Sequence, residues 1–140
     1  MTPILKNIIA IIIAIVLGFA INMGVLMISI NLLTYPDNFI FGDTDSLNEN
    51  IHLFEFRHFF VVYLAHTLGT FISAFTVVKL AASRHFILAI SFGTLFLMLG
   101  LIMSLQIPQS PTWFVIIDLI FAYLPVAWLA YRLAAPKPED

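Results

Sequence analysis

Four long apolar runs with a single charge among them constrain this chain more than any other feature. They cover 8–33, 59–78, 86–107 and 113–131, and the charge is Asp118 in the fourth. A helix needs about 20 apolar residues to cross the hydrocarbon core. The runs therefore predict an all-α integral membrane protein. Its expected form is a four-helix bundle of two antiparallel hairpins, a single transmembrane domain over 1–140.

Composition narrows the function classes. Of the 140 residues 61% are hydrophobic and 10% charged, against about 25% charged in soluble domains. Four spans and their connections use nearly the whole chain, so no soluble catalytic domain is expected. A net charge of −2 argues against a polybasic surface and against nucleic acid as a partner. Cysteine is absent, which removes disulfides, thiolate metal sites and a cysteine nucleophile. The first run has a signal-peptide-like start at Lys6 and small residues around Gly18, but it stays apolar through Leu33. It reads as an uncleaved span.

Basic residues set the expected orientation. Lys6 precedes span one, Lys79 and Arg84 flank the link between spans two and three, and Arg132 and Lys137 follow span four. Five of the six basic residues thus fall on one side, which the positive-inside rule makes cytoplasmic. Both termini are expected there, with a short tail over 132–140, frayed at its end. Trp113 and Trp128 bracket span four like interfacial anchors.

The outer loop, 34–58, has turn chemistry at Tyr35-Pro36-Asp37-Asn38. Ser46-Leu47-Asn48-Glu49 matches a capping box. It predicts a short interfacial helix from Ser46 to Arg57, continuous with span two, whose apolar face is Leu47, Ile51 and Phe54. Residues 108–112 and 81–83 make short links.

Small residues mark where helices meet in lipid. Span one has Ala14, Gly18 and Asn22 at four-residue steps; span two has Ala65, Gly69 and Ser73. Span three has Ala89, Gly93 and Gly100, and span four has Asp118, Ala122 and Pro125. Pro125 removes one backbone hydrogen bond and predicts a kink.

Asp118 is the centre of any functional reading. A lone charge there costs several kcal/mol, so the acid must be paired, protonated or wet. His66 lies at about the same depth on span two and is the expected partner. Asn22 can reach that layer, and Tyr123 and Gln106 can add hydrogen bonds. Two readings follow: a structural hydrogen-bond cluster that locks the bundle, or a proton or cation site built on a titratable histidine. His52, Glu55 and His58 are weak metal candidates. The two histidines lie about 120° apart around a regular helix, and no fourth ligand is evident. No metal site or cofactor is expected, and no nucleophile, phosphate-loop or dinucleotide motif is present.

The second half carries a resemblance. His66-Thr-Leu-Gly-Thr, Lys79-Leu-Ala, Gln106-Ile-Pro, Pro111-Thr-Trp-Phe, Asp118-Leu and Tyr123-Leu-Pro-Val-Ala-Trp resemble a group of small uncharacterised four-span bacterial membrane proteins. The resemblance implies a bacterial cytoplasmic (inner) membrane and carries no activity to any residue. Small multidrug exporters share the span count, but their essential glutamate is in the first span, and this first span has none. The expected function is a non-catalytic accessory or scaffold protein with a structural polar cluster. The alternatives are an oligomeric small-solute or proton-coupled transporter or channel using Asp118 and His66, and a membrane enzyme acting on lipid or quinone. Expected partners are the lipid bilayer and a homo-oligomer or larger membrane complex.

Overall fold

The computed structural model describes residues 1–136. Lys137 and the rest of the expected tail lie outside the described residues. Every regular element among them is helical: α1 (Pro3–Leu32), α2 (Thr44–Asn50), a three-ten turn (Ile51–Leu53), α3 (Phe56–Leu80), α4 (His85–Gln106), α5 (Thr112–Phe121) and α6 (Leu124–Ala134). Four stretches are long and apolar enough to cross a membrane: α1, α3, α4 and the α5–α6 pair.

Helix α3 is the hub. It packs on α1, α4, α5 and α6, whereas α1 rests along α3. The reason is residue size. Ala65, Gly69, Thr70, Ser73 and Ala74 of α3 are all buried, and small side chains let backbones close in. On α1 the buried stripe is Ala10, Ala14 and Gly18. A Cβ on Gly18 would run into Ser73 Oγ, and one on Gly69 would stand 3.0 Å from the Gly18 carbonyl. Ser73 Oγ donates to the Ala14 carbonyl at 2.8 Å across the same seam. At one end Asn7 takes the Ala82 N–H at 2.7 Å and donates to Ser83 Oγ at 3.2 Å. At the other end the ring of His58 reaches the Thr34 carbonyl at 2.9 Å.

The outer loop departs from expectation. The segment from Ser46 to Arg57 is not one helix continuous with span two. It is α2, the three-ten turn and then an extended break at Phe54 and Glu55. Nor does Ser46 cap it. Asp43 does, taking the Ser46 N–H at 2.8 Å. Asp43 has the same three-residue spacing one turn upstream, and a carboxylate is favoured at a helix N-terminus. Ser46 is instead buried and ties the loop together, accepting the Ile40 N–H at 2.8 Å. The break turns Phe54 inward against Tyr35, Phe39 and His58.

Span four is broken rather than bent. The backbone ladder stops where the Ala122 N–H meets the Asp118 carbonyl at 3.0 Å. It resumes where the Ala127 N–H meets the Tyr123 carbonyl at 2.8 Å. Pro125, in the first turn of α6, lacks an N–H and its ring crowds the carbonyl four residues back.

Candidate functional site

The break in span four builds the site. Asp118 and Tyr123 are five residues apart, so on an unbroken helix they would point about 140° from one another. With the helix interrupted between them, the Tyr123 hydroxyl donates to Asp118 Oδ2 at 2.8 Å. His66 of α3 completes the cluster. Its Nδ1 is 2.9 Å from both Asp118 oxygens and 2.9 Å from the Tyr123 hydroxyl. Asp118 and Tyr123 are buried. Gly100 of α4 makes room, because a Cβ there would strike the Tyr123 hydroxyl. Gly93 does the same for α6, where its Cβ would stand 2.7 Å from that of Ala127.

These bonds assign protons. Tyr123 spends its one hydrogen on Asp118, so a carboxylate there is best satisfied by an N–H at His66 Nδ1. In a neutral ring so arranged, Nε2 is a bare acceptor. No protein group among the described residues bonds that nitrogen, and the His66 side chain keeps 23% of its exposure against 6% for Asp118.

Two expected members lie elsewhere. Asn22 packs its Cβ against Gly69 and makes no hydrogen bond to the cluster. It lies level with Gly69, about one turn along α3 from His66. Gln106 ends α4 with an exposed side chain, and only its carbonyl is used, by Asn48 Nδ2 at 2.9 Å. The weak metal candidates do not converge either. His58 accepts the Glu55 N–H on Nδ1 at 2.9 Å, so its Nε2 donates to Thr34. Both nitrogens are thereby occupied. Glu55 pairs with Arg57 at 3.0 Å, and His52 is exposed on the three-ten turn. No group of three ligating side chains occurs among the described residues.

Above the cluster lies a cavity of about 310 Å³ lined by residues of α1, α3, α4, α5 and the outer loop. His66 and Asp118 are part of its lining. The rest is overwhelmingly apolar. Its roof is the outer loop, where Phe39, Leu47, Ile51 and Phe54 turn toward it. Tyr35 pins that roof, with its hydroxyl 2.8 Å from Ser29 Oγ and its ring 4.7 Å from that of His58. Leu47, Ile51 and Phe54 were expected to form a membrane-surface face; they also line this chamber. Sequence reasoning missed the roof altogether. The available signal was Tyr35, Phe39, Phe41 and Phe54 crowded into a segment otherwise polar enough to be a loop.

No protein-family model, curated protein or solved structure matches the chain.

Proposed function

We propose that this protein is a non-catalytic accessory protein of a bacterial inner membrane that holds an apolar small molecule in its outer half. In this reading the chain forms two antiparallel hairpins, α1 with α3 and α4 with α5–α6, with both termini cytoplasmic. Helix α2 then lies at the outer interface as part of the roof. The observation that carries the reading is the apolar cavity whose floor is the Asp118–His66–Tyr123 cluster. Its volume is at the lower end of the roughly 300–1,000 Å³ of small-molecule pockets, and apolar walls with a few convergent polar groups are their usual chemistry.

The test is extraction into lipid nanodiscs without detergent, then mass spectrometry of what co-purifies. A discrete small molecule should accompany the native protein and be depleted in Val62→Trp, which fills the cavity wall. Identical small-molecule profiles for the two would overturn the reading. Reporter fusions after Asp140 and within 41–50 test the orientation; a C-terminal reporter active only outside would reverse it.

A second reading has its own support. The cluster ties α3 to both halves of span four through one carboxylate, and a lock of that kind stabilises a scaffold whether or not the cavity is filled.

A further inference from the structure

The walls of the cavity say what polar group they can accept. Among the described residues no Lys or Arg lines it, and Asp118 and Asp43 are its two acids. An anionic head, such as a fatty-acid carboxylate or a phospholipid phosphate, would meet no cation and at least one carboxylate in a poorly hydrated space. The His66 ring adds the second constraint. His66 lines the cavity, and with Nδ1 engaged by Asp118 and Tyr123, Nε2 is its one ring nitrogen without a protein partner among the described residues. In the neutral ring the Asp118 carboxylate favours the tautomer with hydrogen on Nδ1, and Nε2 then offers a lone pair. A lone pair in an apolar chamber selects a hydrogen-bond donor. The route in is also constrained. Met23 and Leu26 of α1 and Met103 of α4 line the cavity, yet α1 and α4 do not pack along their lengths. Below it they meet through Phe19 and Phe96, with ring centroids 5.4 Å apart.

We propose that the cavity binds a neutral, lipid-soluble hydroxyl compound of the alkylphenol type, reached laterally between α1 and α4, with its hydroxyl donating to His66 Nε2. This rests on the reading of the cavity as a ligand site and adds the chemistry of its head group.

The experiment uses the full chain in nanodiscs with a photoreactive octylbenzene carrying a diazirine in its alkyl chain. Labelled peptides are mapped by mass spectrometry. Competitors are para-octylphenol, its methyl ether and para-octylbenzoate, each at matched mole fraction in the bilayer. Label should fall on cavity-lining stretches around Phe59–Val62 and Met103–Ile107. The phenol should displace it at least tenfold more effectively than the ether, about the worth of one buried hydrogen bond. The benzoate should be the weakest. In Asp118→Asn the amide fits either imidazole tautomer, so Nε2 can carry hydrogen, and the preference for phenol over ether should fall several-fold while labelling persists. In His66→Leu the preference should vanish.

The failures are separable. Label absent from the cavity stretches, or undiminished by Val62→Trp, overturns the ligand site itself and the proposal with it. Label in the cavity with phenol and ether equally effective overturns the hydroxyl proposal alone. So does a phenol preference unchanged in both Asp118→Asn and His66→Leu. Benzoate as the best competitor overturns the exclusion of anions.

Discussion

Asp118→Leu should destabilise the folded bundle by about 2 kcal/mol. The carboxylate accepts from Tyr123 at 2.8 Å and from His66 at 2.9 Å, and leucine accepts from neither. Interhelical hydrogen bonds in membranes are worth roughly 0.6 to 1.7 kcal/mol each, so two give about 1 to 3. Part returns, because the Tyr123 hydroxyl is also 2.9 Å from His66 Nδ1. With the acid gone it can donate there, the imidazole hydrogen moving to Nε2. Asp118→Asn keeps an acceptor for Tyr123 and should stay within about 1 kcal/mol of the native protein. Adding Tyr123→Phe to Asp118→Leu removes that compensating donor, leaves His66 Nδ1 without a partner and should deepen the loss by about 1 kcal/mol, an energetic coupling between neighbours. The assay is reversible unfolding in bicelles followed by helical circular dichroism. If Asp118→Leu matched or exceeded native stability, the acid would have been a net cost, as replaced buried ion pairs sometimes are. The lock would then be refuted.

Gly100→Ala should cost roughly 1–3 kcal/mol, because its methyl meets the Tyr123 hydroxyl and a packed site resists added volume; unchanged thermal unfolding would contradict that. Thr70→Val should stabilise by about 1 kcal/mol, since the Thr70 hydroxyl is buried without a partner and valine keeps its shape. His58→Phe retains the ring contacts but loses the bonds to Glu55 and Thr34. It should speed proteolysis and amide exchange within 34–55 while the α1–α3 seam stays protected; protection unchanged in the loop would deny the clasp.

How much was legible in the residues depends on what each signal encodes. Run length and polarity encode spans, and the four stretches stand where the hydropathy puts them, with ends shifted by a few residues. Side-chain size encodes close approach, so the glycines at 18, 69, 93 and 100 sit at tight contacts. Rise per residue encodes depth, and His66 and Asp118 share a layer. Counting rise from the span ends is coarse, however: Asn22 stands a turn away, against Gly69, and Gln106 stands at the end of α4 beneath the outer loop, so both fall outside the cluster. The rotation between Asp118 and Tyr123 depends on how far Pro125 opens the helix, and no local pattern states whether a proline bends or breaks it. The loop hid a different ambiguity. Asp43 and Ser46 both start acceptable caps, and the choice was made by Ile40, whose N–H needed the Ser46 hydroxyl.

The long seam between α1 and α3 also bears on the order of assembly. Helix α1 is translated before α3, so during entry into a bilayer its Gly18 and Asn22 face would stand without a partner until α3 follows. Both seam faces are then in place before α4, α5 and α6 arrive. Asp118, the one charged side chain within the four apolar runs, is translated after His66, the partner it bonds. The side chain most in need of a partner thus follows that partner in the chain.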